Sequence, residues 1–123
     1  MSGLRRTKGQ LAERLATAYL RGLGREIIQS NYRTPYGEID IIVRDGQTVC
    51  FVEVRSRSCS PMVTPAESVN QRKQQKLLKT AAQWLQENQE DCPSRFDVLE
   101  VEFPFPDSKP PRVVSLIEDA FGQ

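Results

Sequence analysis

Apolar residues recur at helical three- and four-residue spacing in two stretches of this chain, and in alternating or unbroken short runs in five others. Leu11, Ala12, Leu15, Ala16, Tyr19 and Leu23 predict an amphipathic helix over 9–23, with Arg14, Thr17 and Arg21 outside and Gly22 and Gly24 closing it. A second helix is predicted over 71–88, with Leu77, Leu78, Ala81, Trp84 and Leu85 as its buried stripe and Thr64-Pro65-Ala66-Glu67 as a helix start upstream. Strands are predicted over 25–33, 38–43, 48–55, 95–103 and 113–117. Thr34-Pro35-Tyr36-Gly37 turns the first strand into the second, and Phe103-Pro104-Phe105-Pro106-Asp107 reads as an exposed loop before the last. Helix, three-strand meander, helix and two strands give an α/β fold, one mixed sheet of about five strands flanked by helices.

Two charged positions interrupt this pattern where interruption is expensive. Ile39-Asp40-Ile41-Ile42-Val43 and Val49-Cys50-Phe51-Val52-Glu53-Val54 are nearly continuous apolar runs, of the kind that central strands covered on both faces show. A carboxylate there must be paired or bound to a cation. Asp45-Gly46 between the runs is a hairpin signal. With those two residues as the loop, Arg44 pairs with Gln47, Asp40 stands opposite Phe51 and Glu38 opposite Glu53. Glu38, Asp40, Phe51, Glu53 and Arg55 then share a face, and Asp40 and Glu53 are diagonal neighbours about 7–8 Å apart, close enough to hold one cation. A three-residue loop with a bulge would send Asp40 to the other face. The plainer reading of such charges is a solvated strand face, and a Glu53–Arg55 pair is the weaker explanation, since residues two apart on a strand serve other neighbours better.

Lys73 lies one turn before Leu77 in the buried stripe, so its ammonium either meets a charged partner or snorkels from the helix end. Glu13 falls between the buried and exposed stripes of the first helix, and on the residues alone reads as a surface acid. Trp84 reads as core.

Gly9 with Glu13, then Gly37-Glu38-Ile39-Asp40, Phe51-Val52-Glu53-Val54-Arg55, Lys73 and Arg95-Phe96-Asp97-Val98 together resemble the YraN family of bacterial proteins, over most of the chain. That family is similar to the PD-(D/E)xK nuclease superfamily and to archaeal Holliday-junction resolvases. The resemblance implies a restriction-endonuclease-like fold and a metal-dependent endonuclease acting on DNA, branched or single-stranded. Asp40 and Glu53 would hold Mg²⁺ or Mn²⁺, with Glu13 as an additional acid. Position 55 is the place of the signature lysine, and here it holds arginine, which stays protonated and offers only donors. Arg55 suits charge stabilisation on a phosphate and fits a general base poorly, so the nucleophile would come from metal-activated water. After Arg55, Met62 or Val63 stands where family members generally carry glycine.

Composition removes several alternatives. The 123 residues suit a single domain, with 1–8 read as a flexible basic arm. The absence of histidine excludes histidine-containing triads and most catalytic zinc sites, leaving carboxylates and magnesium chemistry. Three cysteines, Cys50, Cys59 and Cys92, form no C-x-x-C pair and point to a reducing cytoplasm. Neither a membrane-length apolar run nor a signal-peptide core is present, which predicts a soluble cytosolic protein.

Net charge is +1, from 17 basic and 16 acidic residues, so any nucleic-acid contact rests on local clusters. Arg5, Arg6 and Lys8 form one cluster, and Arg72, Lys73, Lys76 and Lys79 another, uninterrupted by acids. Lys73, Arg57, Arg72 and Lys76 are the candidate phosphate contacts, although lysines on a helix also serve simply as solubilising residues. Three functions follow: an endonuclease; a nuclease-fold protein that binds nucleic acid with little turnover, which Arg55 motivates; and a protein-interaction domain with a structural charge cluster. Resolvase-like action would call for a homodimer.

Overall fold

The computed structural model describes residues 7–57, 70–104 and 109–121. Helix α1 spans Lys8–Gly22, strands β1 Glu26–Thr34, β2 Gly37–Asp45 and β3 Thr48–Arg57, helix α2 Gln71–Glu87, and strands β4 Ser94–Glu102 and β5 Arg112–Phe121. One sheet holds all five strands in sequence order. Neighbours are antiparallel except β3 and β4, which run parallel on either side of the α2 crossover. The architecture is the α/β arrangement of a mixed five-stranded sheet with two helices.

Each helix starts on a residue that satisfies its free amides. Thr7 caps α1 in a reciprocal box with Gln10 (3.1 and 3.0 Å), and Asn70 Oδ1 accepts the Lys73 N–H of α2 at 2.9 Å. The helices cover opposite faces. Ala12, Ala16 and Leu20 of α1 pack with Ile41, Val43, Cys50, Val52, Leu99 and Val101. Leu77, Ala81 and Trp84 of α2 pack with Ile39, Ile42, Val49, Phe51, Phe96 and Val98, where Phe51 meets Trp84 edge-on at 5.9 Å between centroids.

Four expectations need correction. The buried stripe of α1 runs through positions 12, 16 and 20, so Leu20 is fully buried while Tyr19 and Leu23 remain 40% and 49% exposed. Two alanines at its centre let the backbone lie close on the sheet, and that close approach sets which stripe is covered. Lys8 belongs to α1 and not to a basic arm; Arg5 and Arg6 lie outside the described residues. Strand β5 extends to Phe121, well past 117, through an irregular pairing with β4. The hairpin loop is Gly46-Gln47, because Asp45 remains in the ladder opposite Thr48. Gly46 has φ +63° at the first loop position, where II′ turns take glycine. The Ser58–Pro61 stretch, the Thr64–Glu67 helix start, positions 62 and 63, and Phe105–Asp107 lie outside the described residues. Among the described residues no helix is long and apolar enough to cross a membrane.

Candidate active site

The hairpin register carries the main structural consequence. The β2–β3 ladder runs from Asp45↔Thr48 through Ile42↔Phe51 to Ile41↔Val52. The paired residues end there, one step short of Asp40 and Glu53, and in this register the two are no longer diagonal neighbours. Here the strands depart from simple pairing: the Asp40 carboxylate accepts the Val54 N–H at 2.8 Å. Ile39 packs under α2 but Ile41, two residues on, packs under α1, so the two-residue alternation breaks at Asp40. The expectation of five side chains on one face is corrected accordingly. Phe51 and Glu53 face α2, whereas Asp40 sits in the seam between β2 and β3 and opens toward α1.

Burial and the neighbouring Glu53 charge push the Asp40 carboxyl up to about 8, although the Val54 N–H bond pulls it the other way. The two carboxyl groups are near enough to share a hydrogen bond. Glu53 is buried and meets two cations, the Lys73 ammonium from α2 and Arg55 Nη1 at 3.4 Å. The Glu53–Arg55 contact discounted on strand geometry is therefore present. Lys73 reaches this pair because its place in the buried stripe directs it from the first turn of α2 onto the α2 face of β3.

Two clefts flank the seam. On the α1 side an open cleft of about 270 Å³ takes in Asp40, Glu13, Asn31, Arg33 and Glu38. Glu13 lies on its wall, bonded to Asn31 Nδ2 at 2.7 Å. Among the described residues no three acidic or thiol side chains converge as a metal-ligating group, so Asp40 and Glu53 form a two-carboxylate centre. On the α2 side a larger cleft is walled by Tyr36, Glu38, Arg72, Lys73 and Lys76. Arg57 lies deeper, between Glu100 (3.0 Å) and Glu102 (3.4 Å), where neighbouring carboxylates neutralise its charge.

Sequence reasoning missed Asn31, whose φ of +56° lets β1 present its amide to Glu13; asparagine's tolerance of that conformation was the available signal. It also missed a charge cluster at the hairpin end of the sheet. Asp97 is fully buried, bonded to Arg95 Nε (3.0 Å) and to the Asp119 N–H (2.9 Å), with Arg25 at 3.6 Å. Arg95 also reaches Asp45 and Glu118, both at 3.0 Å. An acid inside the apolar run Phe96-Asp97-Val98-Leu99 was the clue.

The sequence matches the model of the uncharacterised protein family UPF0102 over residues 12–101, from the buried stripe of α1 to the end of β4. The chain belongs to this family. A UPF0102 protein of Dehalococcoides mccartyi is 40% identical over 97% of this chain and 96% of its own length. One from Geotalea daltonii is 39% identical over 94% and 90%, and one from Syntrophus aciditrophicus 42% over 92% and 87%. The UPF0102 match includes Glu13, Asp40, Glu53, Arg55 and Lys73, so the whole candidate centre lies within the part of the chain that defines the family.

Proposed function

We propose that the protein is a divalent-metal-dependent endonuclease that hydrolyses phosphodiester bonds in DNA. The observation that carries this reading is the meeting of Asp40 and Glu53 at the β2–β3 seam, where burial first, and the neighbouring carboxylate second, hold the Asp40 carboxyl far above its ordinary range. A buried pair of this kind favours a proton on one member, and a bound cation would displace it. Its hard oxygen donors fit Mg²⁺ or Mn²⁺, which bind through one or two carboxylates and keep waters for the remaining positions. Bound there, the ion would supply Lewis acidity toward a phosphoryl oxygen and an acidified water.

The chain's own residues divide the remaining work. The Val54 N–H fixes Asp40, and Lys73 fixes Glu53, so neither carboxylate has to be ordered when substrate arrives. Lys73 and Arg55 place positive charge where a scissile phosphate would develop negative charge. Arg72 and Lys76 extend that charge along the α2 cleft for the flanking backbone. Glu13, the further acid of this reading, lines the Asp40 cleft bonded to Asn31 and stands outside the two-carboxylate pair. A reducing cytoplasm suits the cysteine usage, and resolvase-like cutting of paired strands would need a second copy.

The test is purified protein with Mg²⁺ or Mn²⁺ on linear duplex, single-stranded and four-way-junction DNA, beside Glu53→Gln. Cutting abolished in the variant is expected; no cutting of any substrate with either metal overturns the reading. A second reading, a nucleic-acid binder with little turnover, is favoured by the two cations already satisfying Glu53. There, binding persists without metal, and Arg55→Lys reveals whether the arginine silences the centre.

A further inference from the structure

We propose that Tyr36 is a stacking platform for an unpaired nucleotide beside the Asp40–Glu53 centre, so that the favoured DNA is single-stranded or carries a single-stranded flank. The inference rests on the nuclease reading for its setting and names the substrate class.

Tyr36 occupies the β1–β2 turn and is 49% exposed, one of three large hydrophobic side chains left in solvent among the described residues. A ring that is half in water gains little from burial, yet its backbone is firmly placed. The Tyr36 N–H donates to Thr34 Oγ1 at 3.1 Å, and that oxygen lies 3.3 Å from the hydroxyl of Thr80, a buried residue of α2. The turn lies against α2, where the Gly37 backbone comes within van der Waals reach of Thr80 and Lys76. The backbone that carries the ring is thus held in place before any ligand arrives, which lowers the entropic cost of using it.

The surroundings suit a nucleotide. Tyr36 walls an open cleft of about 590 Å³ with Arg72, Lys73 and Lys76, and Lys79 Nζ stands 5.5 Å from the ring centroid. Cations for the backbone beside an aromatic face for the base is the arrangement of sequence-tolerant single-strand sites. The cleft also joins the acidic centre: Lys73 contacts Glu53, and Glu38 lines both this cleft and that of Asp40. A base inside a continuous duplex has no free face to offer a ring fixed to the protein surface, so the base that reaches Tyr36 is unpaired.

The experiment measures binding of the full chain, without metal, to a short labelled single strand, a blunt duplex, and a duplex with an unpaired tail. Tyr36→Ala should weaken single-strand and tailed binding by about 5- to 150-fold while leaving the blunt duplex unchanged. Tyr36→Phe should restore the affinity, and Lys76→Ala should weaken all three alike. Unchanged single-strand binding in Tyr36→Ala, or an equal loss on the blunt duplex, overturns the inference. Cleavage by the same preparations with Mg²⁺, against Glu53→Gln, separates the two ideas. Glu53-dependent cutting without a Tyr36 effect sinks the stacking site alone, and ring-dependent binding without cutting sinks the nuclease reading alone.

Discussion

The Asp40 carboxylate accepts the Val54 N–H across the β2–β3 seam at 2.8 Å, just beyond the last paired residues, Ile41 and Val52. One side chain therefore has two tasks. It completes the sheet where pairing departs from the ladder, and it meets Glu53 at the candidate centre.

Those tasks separate by substitution. Asp40→Ala leaves the Val54 N–H without its acceptor and should cost about 1–3 kcal/mol of stability. Asp40→Asn keeps an oxygen for that N–H and, like the protonated carboxyl, carries no charge beside Glu53, so its thermal midpoint should equal or exceed that of the unaltered protein. Both variants should lose Mg²⁺-dependent cleavage. Thermal melts beside cleavage assays check this, and an Asp40→Asn protein as unstable as Asp40→Ala would refute the structural assignment.

Stability should fall as pH rises from about 4 to about 8. The folded Asp40 carboxyl keeps its proton up to about 8, whereas the unfolded one releases it near its ordinary value of 3.8. Between these limits the native state binds more protons, so deprotonation favours unfolding. Denaturant titrations across this range should show the slope, and Asp40→Asn should flatten it. On the proposed reading a divalent ion would bind the ionised pair, so its stabilising effect should be larger at the alkaline end.

The buried cluster at the hairpin end makes a separate prediction. Replacing Asp97 by alanine leaves Arg25 and Arg95 short of a fully buried counter-charge and should destabilise by about 3–5 kcal/mol. Urea unfolding measures it. A loss well under this range would mean that Asp45 and Glu118 alone hold the two guanidinium groups.

Trp84→Ala should also cost about 3–5 kcal/mol, since the indole is almost completely buried against Phe51 and the sheet. Part of that cost is the lost bond from Trp84 Nε1 to Gln29 at 3.0 Å. Trp84→Phe should recover much of the packing and none of the hydrogen bond.

Much of this molecule can be read from its residues. The five strands and two helices follow from apolar periodicity, and the place of Lys73 in the α2 stripe anticipates a charged target, which proves to be Glu53. What periodicity misses is where it is broken. A strict alternation through Gly37–Asp45 cannot reveal that Ile39 and Ile41 face opposite helices, because the break is a backbone event with no unusual residue in β2 to announce it. The register error has a similar cause: Asp-Gly suggests a loop, yet Asp45 is held in the strand by Arg95, which is distant in sequence. The α1 stripe holds at Ala12, Leu15 and Ala16 and fails at its end, where Tyr19 and Leu23 are apolar yet exposed and Leu20 takes the buried place.

The change of sides at Asp40 makes the short span before it unusually sensitive to length. An added or deleted residue between Gly37 and Asp40 would invert every side chain upstream of the kink, moving Ile39 into solvent and Glu38 into oil. Variation among descendants of this sequence should accordingly accumulate as replacements in that span, and almost never as gaps.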